Sequence, residues 1–380
     1  MRAAIEQSFA DNFVHHGELG ASVSVWQDGV EVVSIASGWM SRERSRPWTS
    51  DTLVPVWSAT KGPAALCCLL AMHEAQLSLE TPVADVWPEF FLHGKEHITL
   101  GQVLSHRAGL FALTEKVPIF DYDSVITALE RQAPLTPPGE VQAYHPRTWG
   151  FLVDEIVRRI TGAESLGHYF REVLGDPLDL DFWIGLPHEH HGRVGTLYPG
   201  KMNLGADDQA FLKAFNTAGA LTQRAFASPI GLEGIHEMNK PESWIPGYPA
   251  LGGVGSAKGL AALYAVLANG GKFRGEQIIP AWVLQALRKP LSQAHDEVLQ
   301  TTISFSAGQM LDPIDPETGS KTRNLFGDGV NAHGHPGAGG SIAWADPDSG
   351  VAFAYVMNQM ETGVLPGPKV QRLISALSGL

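Results

Sequence analysis

The sequence lacks the features of a disulfide-stabilised or membrane-spanning protein. Its 380 residues include only two cysteines, Cys67 and Cys68, which are adjacent. Side chains of neighbouring residues on a helix point in different directions, so we predict two buried free thiols rather than a disulfide. No apolar run approaches the roughly 20 residues that a membrane-spanning helix needs. We therefore expect no contact with a membrane.

Basic segments and an export signal are also missing. The chain has 27 Lys and Arg against 40 Asp and Glu, a formal net charge of -13, and the basic residues form no cluster. Nucleic-acid binding depends on such clusters, so we expect no nucleic-acid partner. Residues 1–7 are partly acidic and polar where a signal peptide needs an apolar core. This pattern predicts a cytoplasmic protein.

One short stretch precedes a strongly apolar segment. Ser58-Ala59-Thr60-Lys61 is followed by residues 64–72, which are apolar and good helix formers. A helix that is apolar on all sides is buried. Ser58 and Lys61 are three residues apart and so share one face, which is a known nucleophile arrangement. Taken alone, the same pattern also fits an N-capping serine with a solvated lysine.

A serine nucleophile needs a base. An ordinary lysine, with a pKa of about 10.4, is protonated at neutral pH, whereas burial or a nearby cation lowers that pKa. A tyrosinate held by cations is a second type of base. Tyr144 is the candidate, because it follows the rigid loop 134–139 and precedes a predicted helix. A tyrosine of the core or rim is the alternative interpretation.

Acyl transfer also needs hydrogen-bond donors for an oxyanion. The N–H of Ser58, at a helix start, is one candidate. A second lies in His335-Pro336-Gly337-Ala338-Gly339-Gly340, which runs into a predicted strand. Glycines let a substrate approach a strand edge closely, although the composition also fits a flexible turn.

The periodicity predicts an α/β (α+β) protein whose body is made from both chain ends. Asp28-Gly29 between two apolar runs predicts a hairpin. Strands are predicted near the carboxyl end at 302–305, 341–344 and 351–358. The segment between is mainly helical. We therefore predict a body of residues 1–80 and 225–380, a helical insertion of residues 81–224, and an active site between them.

Cap and stop residues give more local predictions. Thr99 is expected to cap a helix that Gly109 ends, and Asp123 to cap the next. Further helices are predicted for residues 2–15, 148–160, 165–174, 257–268, 280–287 and 370–377.

Together, Ser58-Ala59-Thr60-Lys61, Tyr144 and His335-Pro336-Gly337 resemble the S-x-x-K, Y-x-N and K/H-x-G boxes of the serine β-lactamase and penicillin-binding-protein superfamily. Residues 103–110, VLSHRAGL, are similar to the "LLSHTSGL" helix end of that superfamily. The resemblance covers nearly the whole chain. The histidine of the third box, the length and the missing export signal are most similar to family VIII carboxylesterases, the class C β-lactamase-like esterases.

The resemblance implies a β-lactamase/transpeptidase-like fold, in which helices flank an antiparallel sheet and a mainly helical domain is inserted. It implies that Lys61 and Tyr144 deprotonate Ser58, which attacks the substrate carbonyl. The N–H groups of Ser58 and Ala338 would stabilise the oxyanion. His335 and Gly337 would belong to the substrate-binding edge. No cofactor or metal is implied.

Two departures from the superfamily pattern bear on the substrate. The second box reads Tyr144-His145-Pro146, so the amide of its asparagine is missing, and His145 is a possible partial substitute. The third box has His335 where β-lactamases use a lysine for the carboxylate of β-lactams. A largely neutral imidazole would give a weaker, pH-dependent anion site. Both changes favour uncharged esters.

We therefore predict a serine carboxylesterase for small or short-chain esters, with a small-molecule substrate as its partner. The sequence does not determine the oligomeric state. A β-lactamase or D-amino-acid peptidase, and an acyltransferase, are the catalytic alternatives. A non-catalytic scaffold is the alternative from another class, and the intact Ser-Lys-Tyr set argues against it.

Other suggestive stretches have simpler interpretations. His188-Glu189-His190-His191 lacks a defined metal-ligand geometry and reads as a solvated loop. The glycines of 252–255 lack the Lys-Ser/Thr of a phosphate loop. Trp149, Trp183 and Trp244 are expected in the core, with a pocket wall as the alternative.

Overall fold

Strands from both ends of the chain form the main sheet. The computed structural model describes residues 2–200 and 206–378. The strands in chain order are β1 Gly20–Gln27, β2 Val30–Gly38, β3 Val54–Pro55, β4 Phe182–Ile184, β5 Gly253–Gly255, β6 Lys272–Phe273, β7 Glu276–Gln277, β8 Ser292–Asp296, β9 Thr301–Phe305, β10 Met310–Leu311, β11 His333–Pro336, β12 Ile342–Asp346 and β13 Val351–Met357.

Helices cover both sides of this sheet and fill the middle of the chain. They are α1 Arg2–His15, α2 Lys61–Glu74, α3 Leu100–Leu104, α4 Tyr122–Arg131, α5 Thr148–Thr161, α6 Leu166–Phe170, α7 Ala206–Phe215, α8 Leu221–Phe226, α9 Ile235–Met238, α10 Pro241–Trp244, α11 Ala257–Ala268, α12 Ala281–Arg288 and α13 Pro368–Ser375. Among the described residues, none of these helices has both the length and the apolar character needed to cross a bilayer.

Within the described residues the main sheet has eight strands in the order β2-β1-β13-β12-β11-β10-β9-β8, and each neighbouring pair is antiparallel. The β1–β2 hairpin turns at Asp28 and Gly29, whose φ angles are 50° and 79°, as a type I′ turn requires. The predicted hairpin and the antiparallel sheet built from both chain ends are confirmed. The division of the chain at residues 80 and 225 stays a prediction.

The buried helix α2 is confirmed, and its start differs from the prediction. All residues from Lys61 to Met72 are buried. Ser58–Thr60 forms a separate 3₁₀ turn before the helix instead of its first turn. Cys67 and Cys68 are buried free thiols, as predicted.

Other helices agree with the sequence except at some ends. Thr99 caps α3 as predicted, and the structure adds a capping box with Gln102, but the helix ends at Leu104 rather than near Gly109. The reason is that His106 adopts a φ of 61°, which turns the chain away.

The cap of α4 is Asp121 rather than Asp123, because its carboxylate accepts the N–H of Ser124. Helix α6 ends at Phe170 and continues as one π-helical turn to Gly175.

A small sheet supports the turn that carries Ser58. Its strand order is β3-β5-β4, and the N–H of Val56 donates to the carbonyl of Gly253 (2.9 Å). A Cβ at Gly253 would lie 2.6 Å from Thr60 Oγ1 and 2.7 Å from the Phe182 ring, so only glycine fits. The glycine-rich stretch 252–255 therefore has a packing role behind the Ser58 turn.

A buried ion pair joins the two ends of the chain. Lys369 Nζ on α13 lies 3.1 Å from the carboxylate of Glu18, and both side chains are almost fully buried. The hydroxyl of Tyr355 on β13 donates to the same carboxylate. Asn12 Nδ2 donates to the carbonyl of Lys369 (3.2 Å). Burial raises the pKa of Glu18, while the Lys369 charge lowers it.

We expect Lys369→Met to lower the free energy of unfolding by about 3–5 kcal/mol, because it leaves the Glu18 carboxylate buried without its partner. Urea denaturation at neutral pH measures this. Arg2→Ala is the control, since its pair with Glu6 is exposed and contributes about 0.3–0.5 kcal/mol. Equal urea midpoints for the two variants would contradict the assigned importance of the buried pair.

Candidate active site

Ser58 lies on a backbone turn held in an unusual conformation. Trp57, just before it, has φ 51° and ψ -134°, a region that bulky residues rarely occupy. Such conformations persist only where the surroundings hold them. Here the N–H and Oγ1 of Thr60 both donate to the Trp57 carbonyl, at 3.0 and 2.5 Å. The turn leaves Ser58 partly exposed while Ala59 and Thr60 are buried.

Lys61 is buried beside Ser58 and bonded only to uncharged groups. Its Nζ lies 3.4 Å from Ser58 Oγ and donates to the carbonyls of Pro146 (3.0 Å) and Ala250 (2.8 Å). In the described part of the chain, no carboxylate forms an ion pair with it. Burial therefore holds the pKa of Lys61 well below its usual value. A neutral amine at this position is able to accept a proton from Ser58.

Tyr144 is the third member of the group that the structure brings together. Its ring lies 4.8 Å from Lys61 Nζ, measured to the ring centroid, and it is buried. Burial raises the pKa of the Tyr144 hydroxyl, and its hydrogen bond with Ser58 acts in the opposite direction. The pKa of Lys61 is lowered and that of Tyr144 is raised, so both shifts favour uncharged side chains: a neutral amine and a protonated phenol.

The edge of β11 lies against the Ser58 turn. A Cβ at Gly337 would lie 2.0 Å from the carbonyl oxygen of Val56, so this close approach requires glycine. Ala338 begins a short turn directly after it. Among residues 2–200 and 206–378, no acceptor takes the main-chain N–H of Ser58 or of Ala338. Both residues line one cavity.

His335 lines the same cavity and is neutral. It is 1% exposed, and its Nδ1 lies 2.8 Å from the carbonyl of Pro336, which assigns the proton to Nδ1. Burial lowers the pKa of His335 to about 3. The imidazole is therefore uncharged at any pH near neutrality. The sequence predicted a weak, pH-dependent anion site at His335. Because this imidazole is uncharged near neutral pH, it offers no cation to an anionic substrate there.

The structure gives His145 a role different from the one suggested for it. Its Nδ1 lies 2.6 Å from the Ala143 carbonyl, and its Nε2 accepts the N–H of Leu110 (3.0 Å). Neither ring nitrogen is left for a substrate, so His145 does not replace the missing asparagine amide. Its two ring contacts hold the loop that carries Tyr144 in place. Pro146 contributes its main-chain carbonyl to Lys61 instead of a side chain.

The cavity beside Ser58 has a volume of about 270 Å³ and mainly apolar walls. Its apolar lining includes Phe211, Leu212, Phe215, Phe226, Leu299 and Met310. Two charged residues, Arg147 and Glu233, also line it. Arg147 is buried, and its guanidinium donates to the main-chain carbonyls of Pro229, Gly231 and Leu232.

The sequence did not identify these walls. Helices α7 and α8, which supply the phenylalanines, lie in a stretch without clear periodicity. The three tryptophans considered as wall candidates lie elsewhere, in two hydrophobic cores: Trp149 belongs to the large core, and Trp183 and Trp244 to a small one with Leu53.

Two polar residues near Tyr144 were also missed. Asp296, fully buried at the end of β8, accepts the Tyr144 N–H (3.1 Å). His106 accepts the His145 N–H at Nδ1 (3.1 Å), and its ring lies 4.6 Å from the Tyr144 ring. The VLSHRAGL stretch pointed to His106. Asp296 lies 152 residues from Tyr144 in sequence, and no local pattern distinguishes it.

The histidine-rich stretch packs against aromatic side chains. Residues His188–Arg193 form a 3₁₀ helix, and the His190 ring lies 4.5 Å from the Trp183 ring. His191 packs edge-on against Trp244. These contacts give the stretch a packing role away from Ser58.

Comparison with known proteins agrees with this geometry. The sequence model of the Beta-lactamase family matches residues 3–375 of this chain. The chain is 30% identical over 368 residues to "Esterase/beta-lactamase LipL" of Mycobacterium tuberculosis, covering 94% of this chain and 81% of that protein.

Two solved structures are similar over almost their full length. A family VIII carboxylesterase gives a TM-score of 0.87 at 32% identity and covers 98% of this chain and 96% of its own. A penicillin-binding-protein homologue from Caulobacter crescentus gives 0.85 at 36% identity, covering 99% and 96%. These similarities confirm the resemblance and the fold predicted from the sequence. The chain belongs to the Beta-lactamase family and is a serine hydrolase with the β-lactamase/transpeptidase-like fold.

Proposed function

We propose that this protein is a serine carboxylesterase that hydrolyses small or short-chain uncharged esters through an acyl-enzyme on Ser58. The observation that carries the proposal is the buried Lys61 amine, 3.4 Å from Ser58 Oγ and bonded otherwise to neutral carbonyls. A serine becomes a nucleophile at neutral pH when an adjacent base takes its proton. Lys61 is that base, since burial favours its neutral form.

Acylation begins when Ser58 Oγ attacks the ester carbonyl and its proton passes to Lys61. The N–H groups of Ser58 and Ala338 stabilise the negative oxygen of the tetrahedral intermediate. As the bond to the alcohol breaks, the protonated phenol of Tyr144 donates its proton to the leaving oxygen and recovers one from Lys61. The raised pKa of Tyr144 supports this donor role.

Deacylation repeats these steps with water. A water molecule gives a proton to the Tyr144–Lys61 pair and attacks the acyl carbonyl, and the Ser58–acyl bond breaks. Ser58 Oγ recovers the proton, and the carboxylic acid leaves. These steps need only groups of the protein and a water molecule, so the proposal includes no cofactor.

The charge of the cavity supports an uncharged substrate. His335 is neutral, with a pKa lowered to about 3 by burial, and so offers no positive charge to a carboxylate. Pro146 has no side-chain amide. The charge of Arg147 is engaged by three main-chain carbonyls. The apolar walls favour an acyl or alcohol group without charge. The relatives include a protein named both esterase and β-lactamase, so the charge of the site supports the choice between these two activities.

We expect kcat/KM for p-nitrophenyl butyrate to exceed that for a chromogenic cephalosporin, whose carboxylate finds no cation at His335. Ser58→Ala should abolish both ester hydrolysis and covalent labelling by a fluorophosphonate. Ser105→Ala is the matched control, because Ser105 is a buried serine bonded to the Gly101 carbonyl and does not line the cavity. A higher kcat/KM for the cephalosporin would instead support the β-lactamase alternative.

Lys61→Met and Tyr144→Phe should each lower kcat by about 10²–10⁴, because each removes a proton-transfer group while leaving the apolar part of the side chain. Steady-state hydrolysis of p-nitrophenyl butyrate measures this. Tyr169→Phe is the control, since Tyr169 is buried but does not line the cavity. Near-normal kcat in Tyr144→Phe would show that Tyr144 does not transfer the proton.

We expect kcat/KM to rise with pH as Lys61 loses its proton and then to reach a plateau below the usual lysine pKa of about 10.4. The sign follows from the mechanism: the active form is deprotonated Lys61, and burial shifts its pKa downwards. The pH profile with an uncharged ester measures this. A kcat/KM that falls with increasing pH across the neutral range would exclude neutral Lys61 as the base.

A further inference from the structure

A single buried carboxylate holds the main chain of Tyr144. Oδ1 of Asp296, at the end of β8, accepts three N–H groups: Tyr144 at 3.1 Å, Val298 at 3.0 Å and Leu299 at 2.8 Å. Asp296 is 0% exposed. Two of these contacts are local to the β8–β9 turn, whereas the third reaches across to the Tyr144 loop. The carboxylate therefore joins two segments that line the cavity, through Tyr144 and Leu299.

Gln142 reinforces the same joint. Its Nε2 lies 3.4 Å from Asp296 Oδ2 and 3.2 Å from the Ile303 carbonyl. The carbonyl of Gln142 accepts the N–H of Glu297 (3.0 Å). The segment 142–144 is thus attached to the β8–β9 hairpin on this side, with Asp296 at the centre.

Asp296 has no cation beside it in the described part of the chain. The three N–H dipoles stabilise its negative charge, yet burial still raises the pKa of Asp296 to about 6. The titratable group that faces it is the Tyr144 hydroxyl, whose pKa the Asp296 charge raises. Its chain neighbours His295 and Glu297 are exposed.

We propose that Asp296 is a positioning residue for the reaction, whose ionised carboxylate holds the main chain of Tyr144 so that the phenol stays at Ser58, and whose protonation loosens that hold. An ionised acceptor binds N–H groups more strongly than a neutral carboxylic acid does. The inference rests on the proposed role of Tyr144. Asp296 does not line the cavity, so we assign it an effect on the reaction through the main chain of Tyr144.

The test compares Asp296→Asn with Asp346→Asn. Asp346 is a matched control because it is also buried and accepts two main-chain N–H groups, from Gly329 (3.1 Å) and Asp348 (3.0 Å), at the far end of β12. We expect Asp296→Asn to lower kcat for p-nitrophenyl butyrate about 10–100-fold with KM within about twofold, since small misplacements of a reacting group are costly. Asp346→Asn should lower Tm without this loss of kcat. Unchanged kcat in Asp296→Asn overturns the proposal.

The pH profile separates positioning from a loss of stability. The wild-type profile of kcat/KM should bend near pH 6, where Asp296 titrates. Just below this bend log(kcat/KM) should fall more steeply with decreasing pH in wild type than in Asp296→Asn, because only wild type loses the ionised carboxylate there. An identical slope in wild type and variant overturns the proposal. If the variant does not fold, a wild-type profile without a bend near pH 6 overturns the proposal by itself.

A further measurement separates this inference from the proposed function. Wild-type protein that hydrolyses no ester would contradict the esterase proposal only. The rate of Ser58 labelling by a fluorophosphonate then reports the activation of Ser58 without an ester substrate. We expect slower labelling in Asp296→Asn than in Asp346→Asn, and equal rates overturn the positioning role.

Discussion

The site depends on one unfavourable burial, that of the Lys61 amine without a counter-charge. A buried ammonium is costly, so burial favours the neutral amine, the form that the proposed mechanism needs as its base. The surroundings support this state, because the amine bonds two carbonyls, of Pro146 and Ala250, and no carboxylate among the described residues. A carboxylate at either position would stabilise the charged form. The choice of neutral partners is therefore as important as the presence of the lysine.

The same burial determines the charges of the neighbouring groups. Burial lowers the pKa values of His106 and His335 and raises the pKa of Tyr144. A protonated histidine here would repel a protonated Lys61, so the neutral forms are mutually consistent. Desolvation thus gives the site a neutral base, a neutral imidazole and a protonated phenol from one cause.

Sequence patterns predicted the parts of the protein that depend on local chemistry. The turn at Asp28 and Gly29 and the apolar run after Ser58 each contain their own evidence, and both form as expected. Gly337 was expected to let a substrate approach the strand edge, whereas in the structure its missing side chain makes room for the Val56 carbonyl. Asp296 was missed because its function depends on the N–H of Tyr144, which comes near only when the sheet forms. The phenylalanine walls were missed for the same reason.

The missing asparagine of the second box shows how main chain replaces side chain. Proline at position 146 removes an amide but leaves a carbonyl, and that carbonyl takes one N–H of Lys61. The loop is held from both sides instead, by His145 through its two ring nitrogens and by Asp296 through the Tyr144 N–H. An amide that would bind a substrate has thus been exchanged for groups that bind only the protein. Lys61 and Tyr144 stay fixed, while in the proposed mechanism polar recognition of the substrate falls to the N–H groups of Ser58 and Ala338. This balance is the physical reason for proposing an uncharged ester, because the carbonyl is then the main polar group that the site would recognise.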